Sequence, residues 1–101
     1  MADHDSDPEG TRRVDPTDRA AVRTELERFA GPDAVTGRED GAIVAQFRGV
    51  THVTVHTDGR IETGMPLHEF AGAPDRLVFD HAAGELRVER DDEVAYTFRR
   101  P

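Results

Sequence analysis

The amino-acid sequence predicts a single small α+β domain, with one helix followed by antiparallel strands. The chain has 101 residues, which suits one domain and leaves no room for a second. Apolar residues keep helical spacing over several turns only between Asp15 and Gly31. From Asp33 onward they recur at every second position, in short runs separated by turn residues. We therefore expect an N-terminal amphipathic helix packed on a curved antiparallel meander of six or seven strands.

The first 14 residues have the composition of a disordered acidic tail. They are charged, contain Pro8 and Gly10, and offer almost nothing to bury. Such a segment cannot bury enough apolar surface to offset the entropy lost on ordering. The sequence thus predicts a tail over residues 1–14 and the folded domain over residues 15–101.

The helix is predicted to begin at Asp15 and Pro16, because aspartate caps a helix and proline suits its first position. Gly31 and Pro32 end it. A helix of this length is marginal alone, so its apolar face has to lie on the sheet. That face comprises Val22, Leu26, Phe29 and Ala30.

The strands follow in two groups separated by a single helical turn. Alternating apolar residues predict strands over residues 34–38, 42–47, 76–80, 85–90 and 94–99, and a hairpin over residues 50–65. Residues 66–71 have the spacing of one helical turn, ended by Gly72.

The register of the last three strands follows from the parity of their loops, since paired residues share a face. Pairing Phe79 with Leu86 needs an even loop, and pairing Leu86 with Phe98 needs an odd one. The second condition favours a three-residue loop over residues 91–93 and excludes a two-residue turn. The predicted core wall is Leu77, Phe79, Leu86, Val88, Val94, Tyr96 and Phe98.

The hairpin over residues 50–65 is the longest clean alternation in the chain. A two-residue turn at residues 58–59 would pair His56 with Ile61, whereas a three-residue loop over residues 57–59 pairs Val55 with Ile61. Apolar matching favours the longer loop. The outward face of the hairpin then carries the candidate ligand-binding residues His52, Thr54, His56, Arg60 and Glu62.

This polar face has side chains suited to ligand binding but no catalytic motif. Histidine, glutamate and arginine can perform acid–base chemistry, yet no nucleophile, oxyanion hole or phosphate loop is recognisable. His52 and His56 are about 13 Å apart along a strand, too far to share one zinc ion. We predict no catalytic residue, no metal ligand and no cofactor; cross-strand charge pairing explains the face equally well.

The charge balance is the most specific global property. The chain has 21 acidic and 13 basic residues, a net charge of −8, and no lysine. In composition it resembles the proteins of salt-in halophiles, chiefly haloarchaea. Molar salt shortens the Debye length to about 3 Å, which screens repulsion among carboxylates. A GC-rich genome would explain arginine in place of lysine, but not the net charge.

Several classes are disfavoured by what the sequence lacks. The absence of cysteine excludes disulfides, thiol catalysis and cysteine-ligated metals. No apolar run approaches the roughly 18 residues of a membrane span, and the N-terminus does not resemble a signal peptide. We therefore expect a cytoplasmic protein that does not bind a membrane.

Nucleic-acid binding is not expected either. Arg87 and Arg99 alternate with Glu85 and Glu89 on one face, and mixed signs make a poor phosphate track.

The leading functional hypothesis is a non-enzymatic interaction module. A small sheet leaves edge strands that can pair with a partner protein or with a second copy. The alternative is a small-ligand or metal-binding protein that uses the face of His52, His56, Arg60 and Glu62.

Overall fold

One helix and two antiparallel sheets make up the fold, in a computed structural model that describes residues 10–65 and 68–101. In chain order the elements are β1 (Thr11–Val14), α1 (Arg19–Ala30), a 3-10 helix (Pro32–Ala34), β2 (Val35–Gly37), β3 (Ile43–Gln46), β4 (His52–Val55), β5 (Ile61–Met65), β6 (His68–Gly72), β7 (Arg76–Asp80), β8 (Glu85–Arg90) and β9 (Glu93–Arg99). The four-stranded sheet has the order β1-β7-β8-β9, and the five-stranded sheet has the order β2-β3-β4-β5-β6.

The α+β class is confirmed, whereas the single six- to seven-stranded meander is wrong. After β6 the chain turns at residues 73–75 and enters the second sheet, where β7 pairs with β1 instead of with its predecessor. Alternation shows which face of a strand is buried, but it does not identify the neighbouring strand. The sequence pattern therefore could not separate one sheet from two.

The predicted tail over residues 1–14 is too long. Residues 11–14 form β1, in which Thr11 pairs with Asp80 and Val14 with Leu77. An edge strand is stabilised by backbone hydrogen bonds to its neighbour, so it needs few apolar side chains. Residues 1–9 lie outside the described part of the chain.

Helix α1 begins three residues after the predicted Pro16, and it is not the first element because β1 precedes it. Asp18 caps it by accepting a hydrogen bond from the Ala21 N–H at 3.2 Å. Asp15 instead caps the preceding turn, accepting from the Thr17 N–H at 2.8 Å. Gly31 ends the helix as predicted. The buried side is not purely apolar, since it includes Glu25 beside Val22, Leu26 and Phe29.

The core forms where α1 meets both sheets. The ring of Phe29 lies 5.7 Å from that of Phe79 and 6.2 Å from that of Phe98, both in the four-stranded sheet. It also lies 6.0 Å from the ring of Phe47, directly after β3 of the five-stranded sheet. Aromatic pairs at these separations add to the stabilisation from buried area. Phe29 of α1 thus packs against both sheets.

The predicted helical turn over residues 66–71 is wrong where the structure describes it. Residues 68–72 form β6, which pairs with β5 from Met65 opposite His68 to Ile61 opposite Gly72. Pairing satisfies the backbone N–H and C=O groups along one side of the segment, which a lone helical turn cannot do. Residues 66 and 67 lie outside the described part.

Between β8 and β9 the predicted register is correct, but the predicted loop is wrong. The predicted pairs of Phe79 with Leu86 and Leu86 with Phe98 are confirmed. However, the excluded two-residue turn forms, with positive φ angles at Asp91 and Asp92. A β-bulge after it restores the parity, because one strand supplies an extra residue. Val94, placed in the core by the three-residue loop, is consequently 51% exposed.

The hairpin between β4 and β5 has the predicted three-residue loop. Val55 pairs with Ile61, and Gly59 has a φ of +90°. The His56 N–H donates to the carbonyl of Arg60 at 2.8 Å. Val53, Val55 and Ile61 are fully buried behind the outward face.

Candidate functional site

The five predicted site residues lie on or beside the outward face of β4 and β5, but the structure divides them into groups with different roles. Thr54 is the clearest exception. It lies on the central strand between its cross-strand neighbours Val44 and Glu62 and is only 2% exposed. Its hydroxyl is therefore not available to a ligand at the surface.

Arg60 is bound within its own loop. Its Nε donates to Asp58 Oδ2 at 2.9 Å, and its backbone N–H donates to Asp58 Oδ1 at 3.1 Å. These contacts lower the pKa of the Asp58 carboxyl below its usual value, with the backbone hydrogen bond as the largest cause. Because Arg60 and Asp58 pair with each other, they stabilise the turn.

His56 and Glu62 form a cross-strand pair. The Nε2 of His56 lies 2.7 Å from Glu62 Oε2. The backbone carbonyl of His56 accepts a hydrogen bond from Arg19 of α1 at 3.3 Å. His56 thus connects the hairpin to the helix, which is a structural role.

His52 lies beside a groove at the end of the five-stranded sheet. Its Nδ1 is 3.1 Å from the carbonyl oxygen of Val50. The imidazole lies over Gly64, its cross-strand neighbour, so closely that a Cβ at residue 64 would come within 2.5 Å of the ring. The missing side chain at Gly64 therefore makes room for the ring of His52.

The groove has a volume of about 490 Å³ and runs along β6. We call it the β6 groove. It carries two carboxylates, Glu62 and Glu69, and the 67% exposed side chain of Val50 lies at its side. Its lining is Val50, His52, Glu62, Thr63, Gly64, Met65, Glu69, Phe70 and Ala71. Of the predicted site residues, it brings together His52 and Glu62.

A second polar pair, Glu25 with His81, was missed by the sequence-based prediction. Glu25 of α1 and His81 at the end of β7 are each 11% exposed in their side chains, and Glu25 Oε1 lies 2.7 Å from His81 Nε2. His81 stacks on Phe79, and its Nδ1 is buried with no hydrogen-bond partner among the described residues. The sequence held one signal, since Glu25 has helical spacing from Val22 and Phe29. The pair joins the helix to the four-stranded sheet.

The outward face of the four-stranded sheet carries charges that neutralise each other. Glu85 lies 3.3 Å from Arg87 and 3.2 Å from Arg99, and Arg76 lies 3.3 Å from Glu89. The alternation of sign predicted for this face is confirmed, and it leaves no continuous basic track.

Within residues 10–65 and 68–101, no three histidine, aspartate or glutamate side chains come together as a metal site. The same part of the chain contains no helix with the length and apolar character needed to cross a membrane. Comparison of the chain with protein-family models, curated proteins and solved structures gives no match.

Proposed function

We propose that the protein is a non-enzymatic interaction module that binds a basic, extended segment of a partner protein along β6. The observation that carries this proposal is the position of the β6 groove, which lies against an edge strand and is lined by carboxylates. An edge strand offers backbone hydrogen bonds, and an adjacent groove offers side-chain selectivity.

The backbone of β6 supplies the first half of the contact. Among the described residues β6 pairs only with β5, so one side of the strand is open to pairing. Glu69 and Ala71 are exposed along it. A partner strand added here extends the sheet and carries every second side chain on the same face as Glu62 and Glu69.

The charges of the groove supply the second half. Glu69 is on β6 itself, directly beside the position of an added strand, and Glu62, one strand further in and paired with His56, adds a second carboxylate within reach of a long side chain. Long-range attraction is weak in molar salt, so an arginine has to reach a carboxylate directly, in the paired hydrogen bonds that guanidinium groups form. Val50 and Met65 offer apolar contact to its methylene chain.

The other long edge, β9, is less suited to this role. A β-bulge interrupts its ladder between Val88 and Glu89 of β8, and bulges twist an edge away from further pairing. Val94 is exposed there, but the two described grooves beside β9 are lined by Arg90 and Arg99 and by no carboxylate.

The test is an amide-shift titration with a short synthetic peptide of alternating valine and arginine. We expect saturable shifts in β6 and around Glu62, and weaker binding of a peptide with glutamate in place of arginine. Glu69→Arg should reduce the affinity by about tenfold or more, because it replaces an attraction by a repulsion.

Glu93→Arg is the matched control, since it makes the same charge change on the exposed start of β9. Equal losses in the two variants would show that only net charge matters and would contradict the proposal. Shifts centred on β9 would move the contact to that edge. Self-association blocked by Glu69→Arg would identify a second copy as the occupant.

The small-ligand or metal hypothesis is the second candidate, because His52, Glu62 and Glu69 line the same groove. These three side chains do not come together as a metal site within residues 10–65 and 68–101, so a metal would need further ligands from a partner. Titration of the histidine ring resonances with Zn²⁺ and with phosphate distinguishes this candidate. If no ring shifts, neither ligand binds at these histidines.

We also propose that the protein works in the cytoplasm of a salt-in halophile. The net charge of −8 on 101 residues without lysine supports this. Carboxylate repulsion is unscreened in dilute buffer, so the unfolding midpoint should rise when KCl is brought to molar concentration. An unchanged midpoint would contradict the proposal.

A further inference from the structure

We infer that a second site, at the opposite edge of the five-stranded sheet from β6, binds a small phosphate monoester. A groove of about 580 Å³ lies between α1 and the hairpin of β2 and β3, within the range of about 300–1,000 Å³ that small-molecule sites occupy. We call it the arginine groove. Its lining is Arg19, Ala20, Arg23, Thr24, Glu27, Gly37, Arg38, Gly41 and Ile43. The site is independent of the β6 edge.

The charge of this groove is opposite to that of the whole protein. Three arginines and one glutamate line it, a surplus of two positive charges, whereas the chain carries −8. Glu27 is already paired, with its Oε2 at 3.2 Å from Arg23 Nε. A concave, positively charged wall concentrates anions more than an isolated arginine does.

The other two arginines keep their charge available. The guanidinium of Arg38 forms no ion pair within the described ranges, and Arg19 donates only to the neutral backbone carbonyl of His56 at 3.3 Å. Guanidinium groups bind phosphate through two parallel hydrogen bonds, which keeps them effective where salt has screened simple charge attraction. Two such groups in one groove favour a doubly charged phosphate.

The remaining wall leaves room for the body of a ligand. Gly37 places no side chain in the groove, and Ala20 and Ile43 supply apolar surface. Arg23 lies along β2, 3.4 Å from the position of a Cβ on Gly37. A phosphate attached to a small ring system therefore fits better than a free phosphate ion, which would leave the apolar wall uncovered.

The test is an amide-shift titration in molar KCl with adenosine monophosphate, adenosine and inorganic phosphate. We expect saturable shifts along α1, β2 and the Arg38 turn with the monophosphate, weaker ones with inorganic phosphate, and none with adenosine. Equal affinity for inorganic phosphate would overturn the assignment of a monoester, and equal affinity for adenosine would overturn the phosphate site. Absence of saturable shifts would overturn it as well.

Substitutions at the groove and outside it make the test specific. Arg38→Gln should weaken binding of the monophosphate by about tenfold, the loss of one charge-assisted contact. Arg48→Gln is the control, because Arg48 is also exposed and unpaired within the described ranges but lies outside the groove. Glu27→Gln should strengthen binding, since it removes the one carboxylate and frees Arg23. Equal losses for Arg38→Gln and Arg48→Gln would contradict the site.

Discussion

The two edges of the five-stranded sheet differ in what surrounds them. At β6 the edge is open and its groove is acidic, with Glu62 and Glu69. At β2 the groove is basic, and helix α1 forms one wall of it with Arg19 and Arg23. The same sheet therefore has an uncovered strand edge beside carboxylates at one end and an arginine-lined cleft beside a helix at the other.

The difference follows from where the helix lies. Helix α1 contacts β2 and β3 and adds side chains beside an edge strand of only three residues. No described helix adjoins β6, which has five residues and keeps one side free. An edge covered by a helix forms a cleft between elements, whereas an uncovered edge can be extended by a strand. Substitutions can test each half of this comparison.

The largest loss of stability is expected from removing the contact between α1, which forms one wall of the arginine groove, and His81. Glu25→Ala leaves the buried Nε2 of His81 without its partner at 2.7 Å, which should lower the free energy of unfolding by about 2–3 kcal/mol. Denaturant unfolding in KCl measures it. Glu27→Ala, which removes a surface pair on the same helix, should cost less than about 1 kcal/mol. Equal losses would show that the Glu25–His81 pair does not anchor α1.

A smaller effect is expected from filling the β6 groove. Gly64→Ala places a Cβ 2.5 Å from the His52 ring and forces the imidazole to move, which should cost about 1–2 kcal/mol and shift the His52 ring resonances. Gly37→Ala is the matched substitution in the arginine groove. Its Cβ would meet only the end of Arg23 at 3.4 Å, so a cost below about 0.5 kcal/mol is expected. An unmoved His52 ring in Gly64→Ala would contradict this packing.

The smallest effect is expected from the loop between β4 and β5. The pKa of Asp58 is lowered in the fold, first by the hydrogen bond from the Arg60 N–H. A lowered pKa means that the carboxylate stabilises the fold above its unfolded-state value of 3.8 and loses this effect as the pH falls through the lower folded-state value. Acid should therefore destabilise the native chain slightly more than Asp58→Asn. Identical acid profiles would contradict this role.

The sequence predicted side-chain faces well because alternation has a local cause. Loop parity was enough to pair Val55 with Ile61 and Phe79 with Leu86. The same rule failed at Asp91 and Asp92, because a bulge can change parity after the turn, and no local signal marks a bulge that lacks glycine.

Contacts between distant segments could not be predicted in the same way. β1 pairs with β7 more than sixty residues later, and Glu25 meets His81 across 56 residues. Two residues that line the β6 groove, His52 and Glu62, were predicted from the sequence because alternation places both on the outward face of the hairpin. Arg38 and Arg23 were missed because only the packing of α1 on β2 brings them together.

Amide hydrogen exchange of β6, with and without the valine–arginine peptide, tests the central claim most directly. Pairing of a partner strand buries N–H groups on the open side of β6, so their exchange should slow when the peptide is bound while exchange in β9 stays unchanged. Peptide binding that leaves every β6 amide exchanging at its original rate would contradict strand addition at this edge.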